Sequence, residues 1–211
     1  MDRFTLAAPG TNEIIIKKSR FITSMGRVQS AEEAEQFVAA VRSNNKKANH
    51  NVWAARIAWP VAVERASDDG EPSGTAGSPT LRGLTSHELS NVVAVTTRYF
   101  GGIKLGASGL IRAYSDSVTA AIVKLGIVQL VNQKELLATC DYSQYQLIEN
   151  RLRDVGVTAA SSDFTTDVRL HIFVDEPTEI ITQKIITQCT NGSATFAYGD
   201  SRTAEIPVPT K

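Results

Sequence analysis

Hydrophobic and polar positions in the second part of the chain follow one another in a clear order of periods. Leu136–Tyr142 reads as a strand, and Ser143 with Gln146 three residues later predicts a capped helix start. Tyr145, Ile148, Leu152 and Val155 recur at helical spacing up to Gly156. Val157–Phe164 reads as a strand. Val168, Leu170, Ile172 and Val174 then alternate with Arg169, His171 and Phe173, the period of a half-buried strand. Pro177 suits the first turn of a helix with a face of Ile181, Ile185 and Cys189, ended by Asn191-Gly192, and Ala194, Phe196 and Tyr198 alternate once more. The order β-α-β-β-α-β is that of a ferredoxin-like domain.

The first part is also α+β. Ile14–Lys17 and Phe21–Arg27 read as strands. Ser30 and Glu33 form a capping box for a helix that presents Ala34, Phe37, Val38 and Val41. Asn51–Trp59 is a strand closed by Pro60, and the nearly all-apolar Val92–Thr97 is a central strand. A long helix follows, with Leu110, Tyr114, Val118, Ala121 and Leu125 on one stripe and Gly126 at its end. Between the strand groups lies Asp68-Asp69-Gly70-Glu71-Pro72-Ser73-Gly74-Thr75-Ala76-Gly77-Ser78-Pro79, read as a loop too long for a plain turn.

Charge changes this picture. The 211 residues balance 22 Lys+Arg against 22 Asp+Glu, which excludes a uniformly basic nucleic-acid binder. Residues 1–132, however, carry 15 basic and 11 acidic side chains, whereas 133–211 carry 7 and 11. Eleven of the 14 glycines also fall in the first part. Two domains, 1–132 and 133–211, are therefore expected. No apolar run reaches the roughly 18–20 residues of a membrane span. Residues 1–20 do not read as a secretory leader. The expectation is a soluble, cytoplasmic protein without membrane association. The two cysteines, Cys140 and Cys189, are too few for a disulfide framework or a four-ligand zinc site.

The strongest chemical signal is Arg98-Tyr99-Phe100-Gly101-Gly102-Ile103-Lys104-Leu105-Gly106-Ala107-Ser108-Gly109. It sets a glycine-rich turn between a strand and a helix, where free N–H groups favour an anion. Against a Walker A loop, Gly101, Gly106 and Ser108 fall in register, but Ala107 replaces the phosphate lysine. Leu105–Gly109 is nearer to the phosphate loop of small-molecule kinases such as galactokinase. These glycines equally permit a tight connection without any ligand. Asp68, Asp69 and Glu71 suit either magnesium and acid–base work or the capping of turn N–H groups. His50, His87 and His171 lack zinc spacing and read as structural or exposed, with His50, which opens the Asn51–Trp59 strand, the one of the three kept as a candidate. Arg42, Lys46, Lys47, Arg56, Arg98, Lys104 and Arg112 form either a basic surface or a scattered solvated face. Tyr99 and Phe100 can stack on bases, one of them being expected to point into the core.

Ser19-Arg20-Phe21-Ile22, the Asp68–Pro79 loop and Val95–Tyr114 together resemble the IMPACT family, in particular its bacterial YigZ-type branch. The resemblance covers nearly the whole chain. It implies a front domain of the ribosomal protein S5 domain 2-like fold and a ferredoxin-like back domain, a pair similar to the last two domains of elongation factor G. It further implies a link to translation, which eukaryotic family members regulate, and it transfers no catalytic residues.

The resulting expectation is a non-enzymatic protein that binds RNA or a ribosome-associated factor, with no cofactor, metal or catalytic residue. Arg98, Tyr99, Gly101, Gly102, Lys104, Gly106, Ser108 and Arg112 are the anion or RNA candidates, with Asp68, Asp69, Glu71, Thr75 and His50 as loop candidates. The competing readings are an enzyme binding a phosphorylated small molecule or nucleotide at Gly101–Gly109, and a protein-interaction module. The two glycine-rich loops are expected to meet, with Asp69 or Glu71 near Arg98 or Lys104.

Overall fold

A computed structural model of the chain describes residues 3–209. It is an α+β protein of two compact units. One takes in the chain up to Leu130 together with its end from Ile206, and the other runs Val131–Glu205.

The front unit is built on a five-stranded sheet. Its strands are β2 (Gly10–Ile16), β3 (Ser19–Arg27), β4 (His50–Ile57), β5 (Val63–Ser67) and β6 (Val92–Tyr99), in the order β2-β3-β6-β4-β5. Every neighbouring pair is antiparallel. A short β1 (Arg3–Leu6) pairs instead with the start of β7 (Ile127–Cys140). Three helices cover the front sheet: α1 (Ala31–Asn44), α2 (Gly77–Ser86) and α3 (Gly106–Leu125).

The apolar run in β6 has a direct structural cause. Val93 and Val95 join Val38 and Val41 of α1 in one cluster, while Val92 and Ala94 join Leu84 of α2 and Val118 and Ile122 of α3 in another. A strand buried on both faces has no polar side to show. Ser30 caps α1 by accepting the Glu33 N–H at 3.2 Å, as the sequence predicts.

Three elements differ from the sequence reading. β1 and β5 are short or largely exposed strands with little apolar rhythm. The stretch read as loop through Pro79 ends earlier, because α2 begins at Gly77. Its packing residues include Gly77, Pro79, Thr80 and Gly83, small or polar types that leave no hydrophobic period. A Cβ on Gly77 would stand 2.8 Å from the Ser67 carbonyl carbon, so the helix start lies too close to β5 for any side chain.

The back unit continues β7 and adds α4 (Tyr142–Asp154), β8 (Ser161–Phe164), β9 (Val168–Val174), α5 (Glu176–Cys189) and β10 (Thr195–Val208). β7 pairs with β9 and β10, and β9 with β8. This is the ferredoxin-like arrangement. Val168, Leu170, Ile172 and Val174 face one core with Leu136, Ile148, Leu152 and Ile186.

Two local details are corrected. The capping box of α4 is Asp141 with Gln144, two residues before Ser143 and Gln146, and the Asp141 N–H donates to Gln144 Oε1 at 3.2 Å. The buried positions of α5 are Thr182 and Ile186, while Ile181 is 49% exposed. Of the predicted stripe, Ile185 and Cys189 pack half-buried against the core, and Ile181 alone lies outside the packing face.

Candidate functional site

Antiparallel pairing decides which loops of the front unit gather. Ser19 opens β3, His50 opens β4 and Tyr99 closes β6, and the register sets Arg20 against Tyr99 and His50 against Arg98. The β2–β3 turn, the α1–β4 loop, the β5–α2 loop and the β6–α3 loop therefore all emerge at one end of the sheet. The two glycine-rich motifs meet there, as expected.

Hydrogen bonds tie these loops together. The Phe100 N–H donates to Asn49 Oδ1 at 2.8 Å, and the Tyr99 hydroxyl donates to Asn45 Oδ1 at 3.0 Å. The Gly101 N–H donates to Ser19 Oγ at 3.1 Å. A Cβ on Gly101 would come 2.0 Å from the Lys18 carbonyl carbon, so only glycine lets the β6–α3 loop rest on the β2–β3 turn.

The acidic residues of the β5–α2 loop take separate tasks. Asp68 accepts from the N–H groups of Gly74 (2.9 Å), Ala76 (2.9 Å) and Gly77 (2.8 Å), and so caps α2. Partial burial alone would raise its pKa, but the three N–H donors together outweigh burial and hold the carboxyl below its ordinary range. Asp69 bridges Arg42 at 2.6 Å and the Asn51 N–H at 2.6 Å. Glu71 is buried, and its Oε1 accepts from Arg98 Nη1 at 2.6 Å and from the Tyr114 hydroxyl at 2.8 Å. Burial, and then the Glu71 charge, push Tyr114 far above the tyrosine range, so it acts as a neutral donor.

His50 Nδ1 lies 2.8 Å from the Asp69 carbonyl oxygen, which can only accept. The proton therefore sits on Nδ1, and Nε2 faces Glu71 Oε2 at 3.9 Å. Thr75 is buried and bonds the Pro72 carbonyl at 2.6 Å, closing the loop on itself.

The remaining candidates lie on the β6–α3 side. Arg98 is buried, with its guanidinium near the rings of Phe21 and Phe100 at 5.4 and 5.6 Å. Neither Tyr99 nor Phe100 enters the core, contrary to expectation: Tyr99 is half-buried under Arg20, and Phe100 is 46% exposed. Gly102, Lys104, Gly106 and Ser108 are all exposed. Arg112 is exposed one turn further along α3 and pairs loosely with Asp116 at 3.5 Å.

A cleft of about 420 Å³ opens between these parts. Pro72, Phe100, Leu105 and Leu110 supply apolar wall, and Asn49, His50, Glu71, Arg98 and Lys104 supply polar edges. Gly106 and Ala107, the first residues of α3, also line it, and the N-cap residue Leu105 offers that helix end no capping side chain.

Sequence reasoning missed two contributors. Lys17 and Lys18 form the two-residue β2–β3 turn with positive φ values of 46° and 66°, without the Asn-Gly signature of such a turn. Tyr114 reads as a plain core position, and nothing in its spacing announces a bond to Glu71 43 residues away.

The fold and this loop cluster define a two-domain α+β protein with a basic, glycine-rich loop end on its front unit. The chain matches the Impact N-terminal domain over residues 17–122 and a domain of unknown function, DUF1949, over 139–193. It is 38% identical over 197 residues to the IMPACT family member YvyE of Bacillus subtilis, covering 93% of this chain and 91% of that one. It is 37% identical over 168 residues to the IMPACT family member YigZ of Escherichia coli, covering 79% and 82%. A crystal structure described as that of a hypothetical protein is 32% identical, with a TM-score of 0.58 over 92% of this chain and 96% of that one. The chain belongs to the IMPACT family.

Proposed function

We propose that the protein is a non-enzymatic factor acting in translation, and that the loop end of its front unit binds RNA or a ribosome-associated surface. The link to translation comes from the family resemblance. The contact with RNA is supported by one observation, the lysines at that end.

Lys17, Lys18, Lys46, Lys47 and Lys104 all lie in the gathered loops, are exposed and have no ion-pair partner among the described residues. The acids around them are already compensated from within: Asp68 by backbone donors, Asp69 by Arg42, Glu71 by Arg98. The front end therefore keeps a surplus of mobile positive charge although the whole chain is neutral. Such a surface suits a phosphate backbone, whose neutralisation releases counterions. Lysine at both positions of the β2–β3 turn adds to this, since the left-handed conformation favours Gly, Asn or Asp there.

The back unit is a poorer platform. Its exposed sheet face carries His171 between Glu135 and Asp163, at 2.8 and 3.0 Å, so an imidazolium there is already matched by acids. Arg202 lies 3.7 Å over the Phe173 ring and occupies the aromatic face that a base would use.

The test is capture from lysate on the immobilised full chain, with and without nuclease, followed by sequencing of retained RNA. RNA or ribosomal particles recovered only without nuclease are the expected result. Retention of proteins alone, unchanged by nuclease, would replace this reading with a protein-interaction module.

A further inference from the structure

We infer that the cleft at the start of α3 holds one phosphate group of a nucleotide unit, with the attached ring against Pro72 and Phe100. The inference deepens the RNA reading and rests on it for one of the two sources of such a group, an internal phosphate of an RNA strand. The other source is a free nucleotide.

Three observations meet in this cleft. The first is the end of α3, a 20-residue helix whose leading N–H groups have no side-chain cap and whose first residues, Gly106 and Ala107, line the cleft. Those N–H groups and the positive dipole end favour an anion. Lys104, exposed and unpaired, stands two residues before the helix and adds a full charge.

The second observation is independent of the helix. Arg98 also lines the cleft, and its side chain is only 7% exposed. One guanidinium nitrogen bonds Glu71, but Nε has no hydrogen-bond partner among the described residues. A buried guanidinium donor without an acceptor costs free energy, which a small shift toward an anionic acceptor in the cleft relieves. Glu71 does not oppose this strongly, because Arg98 and Tyr114 both donate to it.

The third is the division of the walls. Pro72, Phe100, Leu105 and Leu110 make one side apolar, while the donors gather at the Lys104 and α3 edge. Inorganic phosphate has no use for the apolar side, whereas a nucleotide presents a flat ring on one end and phosphate on the other. Phe100 is 46% exposed and free to stack. A volume of about 420 Å³ suits one such unit and no more.

The experiment follows the backbone amides of Gly106–Gly109 by nuclear magnetic resonance in the full chain. The probes are inorganic phosphate, adenosine monophosphate and a short single-stranded oligoribonucleotide. Two variants separate binding from folding. Ala107→Glu places an acid at the exposed first turn, which favours the helix dipole while repelling an anion. Lys104→Glu reverses the loop charge. A third variant, Lys46→Glu with Lys47→Glu, alters the wider surface outside the cleft.

The amides should shift with all three probes, and more tightly with the monophosphate than with phosphate. Affinity should fall by about tenfold or more in Ala107→Glu and Lys104→Glu, in line with the loss of one charged hydrogen bond. Lys46→Glu with Lys47→Glu should weaken the oligonucleotide alone. If the oligonucleotide binds but no probe moves these amides, the cleft inference is overturned and the RNA reading stands. If the monophosphate moves them and the oligonucleotide does not bind, the cleft holds a free nucleotide and the RNA reading fails.

Discussion

Arg98 Nη1 and Glu71 Oε1 meet at 2.6 Å inside the front unit, joining the two glycine-rich motifs across 27 residues of sequence. Both side chains are almost wholly buried, so removing either leaves an unpaired charge in the interior. Arg98→Ala and Glu71→Ala should each cost about 3–5 kcal/mol. The double replacement Arg98→Met with Glu71→Leu should be more stable than either single alanine variant, because no charge is then stranded. Urea unfolding followed by tryptophan fluorescence reads this cleanly, since both tryptophans, Trp53 and Trp59, belong to the front unit. A double variant weaker than both singles would show that the pair is not the organising contact.

Asp68 couples stability to acid. Its carboxyl is held below the ordinary range in the folded protein, so its contribution is present above the unfolded value and is lost as the pH falls through the folded one. Asp68→Asn keeps the shape but leaves one acceptor where there were two: the Oδ1 contacts to Ala76 and Gly77 lose their charge, and the Gly74 N–H at Oδ2 loses its acceptor. It should cost about 1–2 kcal/mol near neutrality, the size of a lost helix cap. The gap between variant and wild type should close in acid. Melting curves across pH measure it, and a gap that stays constant into acid would remove Asp68 as the charged cap of α2.

The close approach of Gly101 to the β2–β3 turn gives a steric prediction. In Gly101→Ala the new methyl meets Lys18 backbone rather than a side chain that can swing away. The variant should lose at least about 1–3 kcal/mol, the usual cost of overpacking. Gly74→Ala, with open space at its Cβ and a positive φ of 74°, should lose only the smaller backbone cost. Equal losses in the two variants would contradict the contact.

These features differ in how far the sequence exposes them. The strands β3, β4, β6 and β9 and the helices α1, α3 and α4 show because each buries apolar residues in a recognisable pattern, which in β6 is an unbroken run and not a period. α2 does not, since Leu84 is its single fully buried large apolar residue among Gly77, Pro79, Thr80 and Gly83, and its cap comes from Asp68, nine residues before Gly77. Ile181 misleads because Thr182 is buried in its place, while Ile185 and Cys189 of the same stripe do reach the core. At the site, the composition of the two glycine-rich motifs reveals where the loops lie. The pairing of Glu71 with Tyr114 and the placing of Lys17 and Lys18 beside Gly101 depend on strand register, which no local pattern encodes.

His171 gives the back unit a pH dependence of opposite sign. Hydrogen bonding to Glu135, then to Asp163, holds its imidazolium above the ordinary histidine range. The stabilisation is therefore fully present below the unfolded value, about 6.5, and is lost as the pH rises through the folded value. Resonance titration of His171 should give a midpoint above that of a free histidine. Glu135→Gln should lower that midpoint more than Asp163→Asn, following the order of the two contributions. A midpoint at or below the free value would show that the two acids do not grip the ring.

The most direct test of the functional account is the salt dependence of RNA affinity. Equilibrium binding of a single-stranded oligoribonucleotide is measured over a range of salt for wild type and for a variant with Lys17, Lys18, Lys46 and Lys47 changed to Ala. All four side chains are exposed and without ion pairs among the described residues, so the variant should keep its fold. The logarithm of affinity should fall linearly with that of salt, and the slope should shrink by about 0.7 for each phosphate contact removed. A matched variant of the back unit, Arg169→Ala with Lys184→Ala, should leave the slope where it was. An unchanged slope in the lysine variant, or a larger change in the back-unit variant, would contradict the assignment of RNA binding to this end of the protein.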